Sequence, residues 1–198
     1  MTGDQTPVPR LKPMTLALAV VALVAAMITL LPANVRPWNL SAIGALGLFA
    51  AARLGFWPAV GFTALALGIK DLGIYLQYGW EPEPLSWLCF AGYVALGWAF
   101  LRRTESPLKI GAAALTASLI FFLTSNFASW LTQALPYGYS LAGLLDCYRA
   151  AIPFYRGTLA GDLVFSAGLF AAHAALSRAC FPAERVALRT VRVPEEQW

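Results

Sequence analysis

Several polar side chains stand within long apolar runs of the chain, where burying them is costly. Asp71, Asn126, Asp162 and His173, the single histidine, each lie in such a run. A charge at the centre of a membrane-spanning helix costs about 2.5 to 3.5 kcal/mol on insertion scales, so each of these groups needs a partner or a purpose. They are therefore candidates for binding or chemistry, although a lone histidine is expected to serve as an interhelical hydrogen-bond donor.

Helical spacing pairs polar or sulfur-bearing side chains with aromatic rings. Residues four apart share one helix face, and three such pairs occur: Asp71 with Tyr75, Cys89 with Tyr93, and Asn126 with Trp130. If these faces converge, they form a pocket with apolar walls and a few oriented hydrogen-bonding groups, the usual composition of a small-molecule site. The alternative is a structural network without a ligand, in which Asn126 bonds across helices and Asp162 pairs with Arg149 or Arg156.

The three cysteines cannot all pair with one another. Cys180 is expected to be an ordinary small apolar residue. Cys89 and Cys147 are expected on the same outer side, where an oxidising environment would allow a disulfide between them. The alternative is a free Cys89 thiolate that acts as a soft ligand to a metal in a cargo molecule.

The elements that hold these side chains are predicted to be membrane-spanning helices. Apolar residues make up 59% of the chain, charged residues 12%, and the mean hydropathy is +0.64. About 20 apolar residues cross the roughly 30 Å hydrocarbon core as a helix. The sequence therefore predicts an all-α polytopic membrane protein, with a domain at 14–182 between tails at 1–13 and 183–198. Six helices are expected, over residues 14–32, 40–53, 56–75, 85–101, 110–135 and 158–181.

The second predicted helix is short, and its segment AIGALGLFAAA is dense in Ala and Gly. Small residues let helix backbones approach closely, which is the expected compensation for a helix too short to cross comfortably. Ala22 and Ala26 have the same small-xxx-small spacing on the first helix.

The distribution of basic residues predicts that both termini are cytoplasmic, because cytoplasmic loops of membrane proteins carry an excess of Lys and Arg. With six crossings, the outer side holds Arg36, Lys70, Arg149 and Arg156. The other ten of the 14 basic residues fall on the inner side: Arg10, Lys12, Arg53, Arg102, Arg103, Lys109, Arg178, Arg185, Arg189 and Arg192.

The predicted outer connections, 33–39, 76–84 and 136–157, are rich in aromatic and charged residues. An aromatic belt at the level of the lipid headgroups explains any single one of these rings. Because the inner connections lack such a set, the one-sidedness favours a pocket on the outer face.

The sequence also argues against several classes of protein. It contains no P-loop, HExxH, CxxC or GxSxG motif, so we expect neither an enzyme nor an intrinsic cofactor. The net charge of +4 fits basic cytoplasmic loops better than nucleic-acid binding. A cleaved signal peptide is the alternative for the first apolar run, but that run is long and 32–34 is a poor cleavage site.

Four segments of the chain resemble an uncharacterised family of small bacterial membrane proteins. They are RPWN at 36–39 followed by AIGALGLFAAA, the lone Asp71, SNFASW at 125–130, and GLLDCYRAAIPFYRGTLAGDL at 143–163. That family in turn looks like the substrate-capture (S) components of energy-coupling-factor (ECF) vitamin transporters. The resemblance covers about residues 33–172.

This resemblance implies a six-helix protein of the bacterial inner (cytoplasmic) membrane with both termini cytoplasmic. An outward pocket would be lined by the loops between helices 1 and 2, 3 and 4, and 5 and 6. Besides the lipid bilayer and a small-molecule substrate, the implied partners are an ECF coupling subunit and ATPases. Ala22 and Ala26 would then be docking positions for the coupling subunit on the first helix.

A weaker resemblance links the chain to solitary vitamin B12 transporters. It rests on Asp71, on SWLC at 86–89 and on Tyr93. It implies that Cys89 ligates the cobalt of a corrinoid cargo. The sequence departs from that pattern, since one extra residue separates the Trp from the Cys and the first outer loop has no histidine.

The predicted function is therefore substrate capture, as an S component that takes up a vitamin-like small molecule. A structural or assembly subunit of a larger membrane complex is the alternative. The predicted substrate-binding residues are Arg36, Trp38, Asn39, Asp71, Tyr75, Trp80, Cys89, Tyr93, Asn126, Trp130, Tyr148, Arg149 and Asp162.

Overall fold

The computed structural model is a bundle of six α-helices, which confirms the all-α prediction. It describes residues 12–32, 35, 39–79, 81–82, 84–132 and 136–186. The helices are α1 Pro13–Ala26, α2 Ile43–Arg53, α3 Phe56–Tyr78, α4 Pro84–Phe100, α5 Pro107–Leu131 and α6 Leu141–Ala179. A 3-10 turn at Met27–Leu30 extends α1, and a second one, Pro182–Glu184, follows α6.

Four helical segments in the described part of the chain are long and apolar enough to cross a membrane. They are α1 with its 3-10 extension, α3, α5 and α6. The other two helices are shorter, with 11 residues in α2 and 17 in α4. At 1.5 Å per residue, α2 extends over about 16 Å, roughly half of the hydrocarbon core. The molecule is thus a helical membrane protein whose two short helices pack among longer ones.

The first and last described segments meet at one end of the bundle. Glu184, which follows α6, accepts hydrogen bonds from the backbone N–H groups of Met14 and Thr15 at 3.0 and 2.8 Å. The Lys12 ammonium donates to the carbonyl oxygen of Arg53, the last residue of α2, at 2.7 Å. We call this the terminal end, defined by Lys12, Arg53 and Glu184, and we call the opposite end, where α5 stops and α6 begins, the distal end.

Helix α2 lies at the centre of the bundle, and all of its residues are buried. Its Ala and Gly residues allow neighbouring helices to come close, as the sequence predicted. One close approach involves Gly97 of α4, where an added Cβ atom would run into the backbone of Leu48. The short central helix is therefore shielded from lipid on all sides by the helices around it.

Helix α6 begins well before the predicted position, which corrects the prediction of an outer loop at 136–157. Ser140 caps the helix, because its Oγ accepts a hydrogen bond from the N–H of Gly143 at 3.0 Å. Pro153 lies inside the helix on an exposed face, and its ring removes the helix hydrogen bond to the carbonyl four residues earlier. The sixth helix was expected only from residue 158, but it starts after the Ser140 cap and continues through Pro153.

The predicted docking positions on the first helix are not presented to a partner. Ala22 is 2% exposed and Ala26 is fully buried, and both pack within the hydrophobic core of the bundle. Small-xxx-small spacing brings helices together wherever it occurs, and here it joins α1 to its own neighbours. The docking prediction for these residues is therefore wrong for this conformation.

The close contact between α2 and α4 predicts opposite effects for two glycines of α4. Gly97→Ala should lower the free energy of unfolding by about 1 to 3 kcal/mol, because the Leu48 backbone cannot yield to the new methyl group. Gly92→Ala, which meets nothing within 4 Å, should raise it by about 0.5 to 1 kcal/mol through higher helix propensity. Unfolding of both variants in detergent micelles checks this, and equal effects would contradict the packing.

The cap that Glu184 places on α1 predicts a pH dependence of stability. Burial alone would raise the pKa of this carboxyl, but hydrogen bonds from Thr15 and Met14 outweigh it and hold the pKa below its ordinary value. A lowered pKa in the folded state means that the stabilisation is present at neutral pH and is lost as the pH falls through that value. Glu184→Gln should cost about 1 to 2 kcal/mol at pH 7 and flatten the acid branch of a melting-temperature profile.

The matched control for this experiment is Glu81→Gln, since Glu81 is exposed near the distal end. This variant should keep the parent profile. A profile that Glu184→Gln leaves unchanged would show that the cap does not contribute.

Candidate functional site

A cavity of about 240 Å³ lies between α5, α6 and the residue segment that precedes α2. It contains two of the predicted binding residues, Asn39 and Asn126. It is lined by Asn39, Phe121, Phe122, Ser125, Asn126, Ala151, Phe154, Tyr155 and Thr158. Since Asn126 lies near the end of α5 and Asn39 just before α2, the cavity belongs to the distal half of the bundle.

Three polar groups of the cavity lining are available to a ligand. The Asn126 amide nitrogen donates to the carbonyl of Phe122 at 2.7 Å, which leaves its oxygen without a hydrogen bond among the described residues. Within the same part of the chain, neither the Asn39 side chain nor the Tyr155 hydroxyl makes a hydrogen bond. Together they offer both donors and acceptors around a small volume.

The backbone of Asn39 is in an uncommon conformation. Its φ of 55° lies in the left-handed region, which asparagine tolerates better than other residues with a Cβ atom. The chain turns sharply here before entering α2, where the Ser41 Oγ accepts from the N–H of Ile43 at 3.1 Å. This turn places Asn39 in the lining of the cavity.

Aromatic rings form the walls. The rings of Phe122 and Tyr155 are 4.6 Å apart, across the interface between α5 and α6. Tyr148 lies one ring further out, 5.6 Å from Phe122, and its hydroxyl donates to the carbonyl of Leu123 at 2.8 Å. Tyr148, a predicted substrate-binding residue, does not line the cavity and instead packs behind its wall.

Beneath the cavity lies a buried pair between Tyr93 and Asp162, both predicted site residues. The Tyr93 hydroxyl donates to Asp162 Oδ2 at 2.6 Å, and the two residues are 1% and 2% exposed. Tyr93 also meets Phe121, a wall residue, edge to face at 6.5 Å. Gly44 of α2 makes room for the pair, because a Cβ atom there would collide with both side chains. The pair thus supports the cavity floor without lining it.

Asp71 and Tyr75 lie in a different place, an open groove of about 740 Å³ beside α3 and the start of α4. The two carboxylate oxygens of Asp71 are both occupied. One is 2.7 Å from the Lys70 ammonium, and the other accepts from the Trp87 indole N–H at 2.7 Å. The Asp71 carboxylate therefore connects α3 to α4, and the remaining groove lining is apolar.

The structure also separates the other predicted residues from the cavity. Cys89 contacts the Thr124 hydroxyl at 3.1 Å, and both it and Cys147 are free thiols, so the disulfide alternative is not realised. The indole of Trp130 donates to the carbonyl of Gly138 at 2.9 Å. The exposed Arg149 pairs with Asp146 at 3.1 Å rather than with Asp162.

Arg36, Trp38 and Trp80 lie outside the described residues. The sequence predicted one pocket in which the binding residues converge, but the described ones that line a pocket lie in two separate places. Asn39 and Asn126 line the cavity between α5 and α6, whereas Asp71 and Tyr75 line the groove beside α3.

Sequence reasoning missed the rings at 121, 122 and 155, which form most of the cavity wall. One signal was available, because Phe122 lies four residues before Asn126 and shares its helix face. Tyr155 could not be placed, since its segment was expected to be a loop.

The fold and cavity together define a helical membrane protein with an uncharged, ring-lined cavity in the distal half of its bundle. The chain belongs to the family described as a family of unknown function (DUF6580), whose model matches residues 9–184. No curated protein and no solved structure matches the chain.

The buried pair predicts unequal roles for two tyrosine hydroxyls. Tyr93→Phe should lower the free energy of unfolding by about 1 to 3 kcal/mol, because it leaves the buried Asp162 carboxyl without its donor. Tyr155→Phe should change it by less than about 0.5 kcal/mol, since its hydroxyl bonds to no described residue. Denaturant titration of both variants measures the difference, and similar losses would contradict the assignment of Tyr93 as the structural hydroxyl.

Proposed function

We propose that the protein captures a small molecule from the outer side of the membrane, as an S component of an ECF-type transporter does. The observation that carries this proposal is the cavity at Asn39 and Asn126, with aromatic walls and three unused polar groups. Small-molecule sites are mostly apolar concavities in which a few placed polar groups fix the orientation of the ligand. Rings add contact area at little cost in conformational entropy.

The charge distribution supports an outward-facing cavity. The described basic residues Lys12, Arg53, Arg102, Arg103 and Arg185 cluster at the terminal end, and basic residues favour the cytoplasmic side. The proposed arrangement has six crossings of a bacterial cytoplasmic membrane with both termini inside. The cavity then opens toward the outside.

Cavity size restricts the proposed cargo. Ligand pockets for drug-sized molecules measure about 300 to 1,000 Å³, and this cavity of about 240 Å³ lies just below that range. The cargo is therefore a compact molecule with one or two rings, rather than a corrinoid. Cys89 does not line the cavity, so cobalt ligation by its thiol is not part of the proposal.

Transport would need an energy source from other proteins, since the sequence carries no P-loop. A coupling subunit and ATPases are the proposed partners. With Ala22 and Ala26 buried, the surface that meets the coupling subunit lies elsewhere on the bundle. The proposed function does not include catalysis.

Ligand-dependent stability tests the proposal directly. Purified protein is heated in detergent with thiamine, biotin, niacin or pyridoxal, each well above micromolar concentration, and with cobalamin as a large comparison. A ligand at about 100 times its dissociation constant adds roughly 2.7 kcal/mol to stability, so a cargo should raise the melting temperature by about 5 °C or more. Mass spectrometry of the purified protein searches in parallel for a co-purified small molecule.

Two amide variants make the experiment specific. Asn126→Leu should weaken binding about tenfold, because the ligand loses one hydrogen bond in the cavity. Gln77→Leu removes an exposed amide of α3 that bonds to the Leu30 carbonyl and should bind like the parent. If no probe shifts the melting temperature and no small molecule co-purifies, capture is rejected in favour of an assembly role.

A further inference from the structure

We propose that a cleft at the terminal end binds an anionic phosphate group, from either a lipid headgroup or free phosphate. This site is separate from the distal cavity and does not depend on the proposed function. The cleft has a volume of about 270 Å³ and is lined by five cationic side chains and one carboxylate: Lys12, Arg53, Arg102, Arg103, Arg185 and Glu184.

The carboxylate in the cleft is already engaged. Glu184 accepts from the N–H groups of Met14 and Thr15 and, at 2.6 Å, from the Thr15 hydroxyl. Its negative charge is directed at the N-terminus of α1, where the helix dipole favours it. The positive charges of the cleft are therefore left without a protein counter-ion among the described residues that line it.

Arg53 is the strongest evidence for an anion. It is 4% exposed, and its guanidinium donates to the carbonyls of Leu101 and Thr104, each at 2.9 Å. The guanidinium also lies over the Phe170 ring, 4.7 Å from its centroid. Its Nε is buried without a hydrogen-bond partner, and no described carboxylate is within ion-pair distance.

A buried cation is costly when its hydrogen bonds go only to carbonyl oxygens, and an aromatic ring and a carboxylate beyond ion-pair distance, here Phe170 and Glu105, supply the remaining attraction. A basic residue that served only to orient the protein in the membrane would lie at the surface, in water or among headgroups. The burial of Arg53 at the base of a cationic cleft is therefore better explained by a bound anion than by topology alone.

The neighbouring side chains complete the site. Arg102 lies over the indole of Trp98, 4.0 Å from the ring centroid, which fixes its position near the cleft. The exposed Arg103 makes no hydrogen bond or ion pair with the described residues, so it is free to meet a ligand. Arg185 is held in place by the carbonyl of Arg178 at 3.0 Å.

Phosphate is the anion that this chemistry fits. Arginine forks bind phosphate oxygens through paired, charge-assisted hydrogen bonds. Basic pockets between helix ends on the cytoplasmic side of membrane proteins are typical sites for anionic headgroups. A carboxylate ligand would accept fewer hydrogen bonds from the same arginine side chains, because it has two oxygens where a phosphate group has three or more.

The experiment uses the full chain in a zwitterionic detergent, with two separate arms. One arm titrates phosphatidylglycerol against phosphatidylcholine and counts bound lipids by native mass spectrometry. The other adds inorganic phosphate at constant ionic strength and follows the melting temperature. Each arm compares the parent with Arg102→Gln/Arg103→Gln and with the control Lys109→Gln/Arg156→Gln, which also removes two exposed charges but leaves the cleft intact.

We expect the parent protein to retain phosphatidylglycerol over phosphatidylcholine, or to be stabilised by phosphate. This preference or affinity should fall about tenfold or more in the cleft variant and stay unchanged in the control. The arm that responds identifies the source. If the cleft double variant does not fold, Arg103→Gln alone decides, because it breaks no contact. No response in either arm, or an equal loss in the control, overturns the proposal.

Discussion

Dense packing around α2 is the constraint on which the rest of the structure depends. Its residues are buried on every side, and α4 approaches it closely enough that only a glycine fits at the contact. Gly97 of α4 and Gly161 of α6 each face backbone atoms closely enough that a methyl group would collide. Gly44 leaves the space in which Tyr93 and Asp162 meet. The shape of the cavity floor is therefore determined by a helix that does not itself line the cavity.

The two ends of the bundle differ in chemistry. The described lining of the distal cavity holds amides, hydroxyls and rings but no ionised side chain, which suits a neutral or weakly polar ligand. The terminal end concentrates cations, and its carboxylates at 105 and 184 are engaged by Arg178 and by the start of α1. The two cavities thus differ in the charge of their lining, one uncharged and the other mostly cationic.

The sequence was sufficient to predict six helices, though not where α6 begins, and two of the residues that line the cavity, Asn39 and Asn126. Long apolar runs and the Ala-rich α2 have direct physical signatures, and Asn126 stood out because amides are rare within such runs. The buried face of α1 could not be read, since a helix that is apolar all round carries no periodic signal; this is why Ala22 and Ala26 were misplaced. The start of α6 could not be placed, because the sequence alone does not show whether a helix continues through an internal proline such as Pro153.

Helix α6 has 39 residues and is therefore about 58 Å long, nearly twice the thickness of the hydrocarbon core. Its first half still exposes Leu145, Ile152 and Phe154, each with 45 to 48% of its surface accessible. Apolar side chains so far from the other end of the helix would be unfavourable in bulk water. A helix longer than the hydrocarbon core is accommodated in membrane proteins by tilting, by kinking or by local thickening of the bilayer.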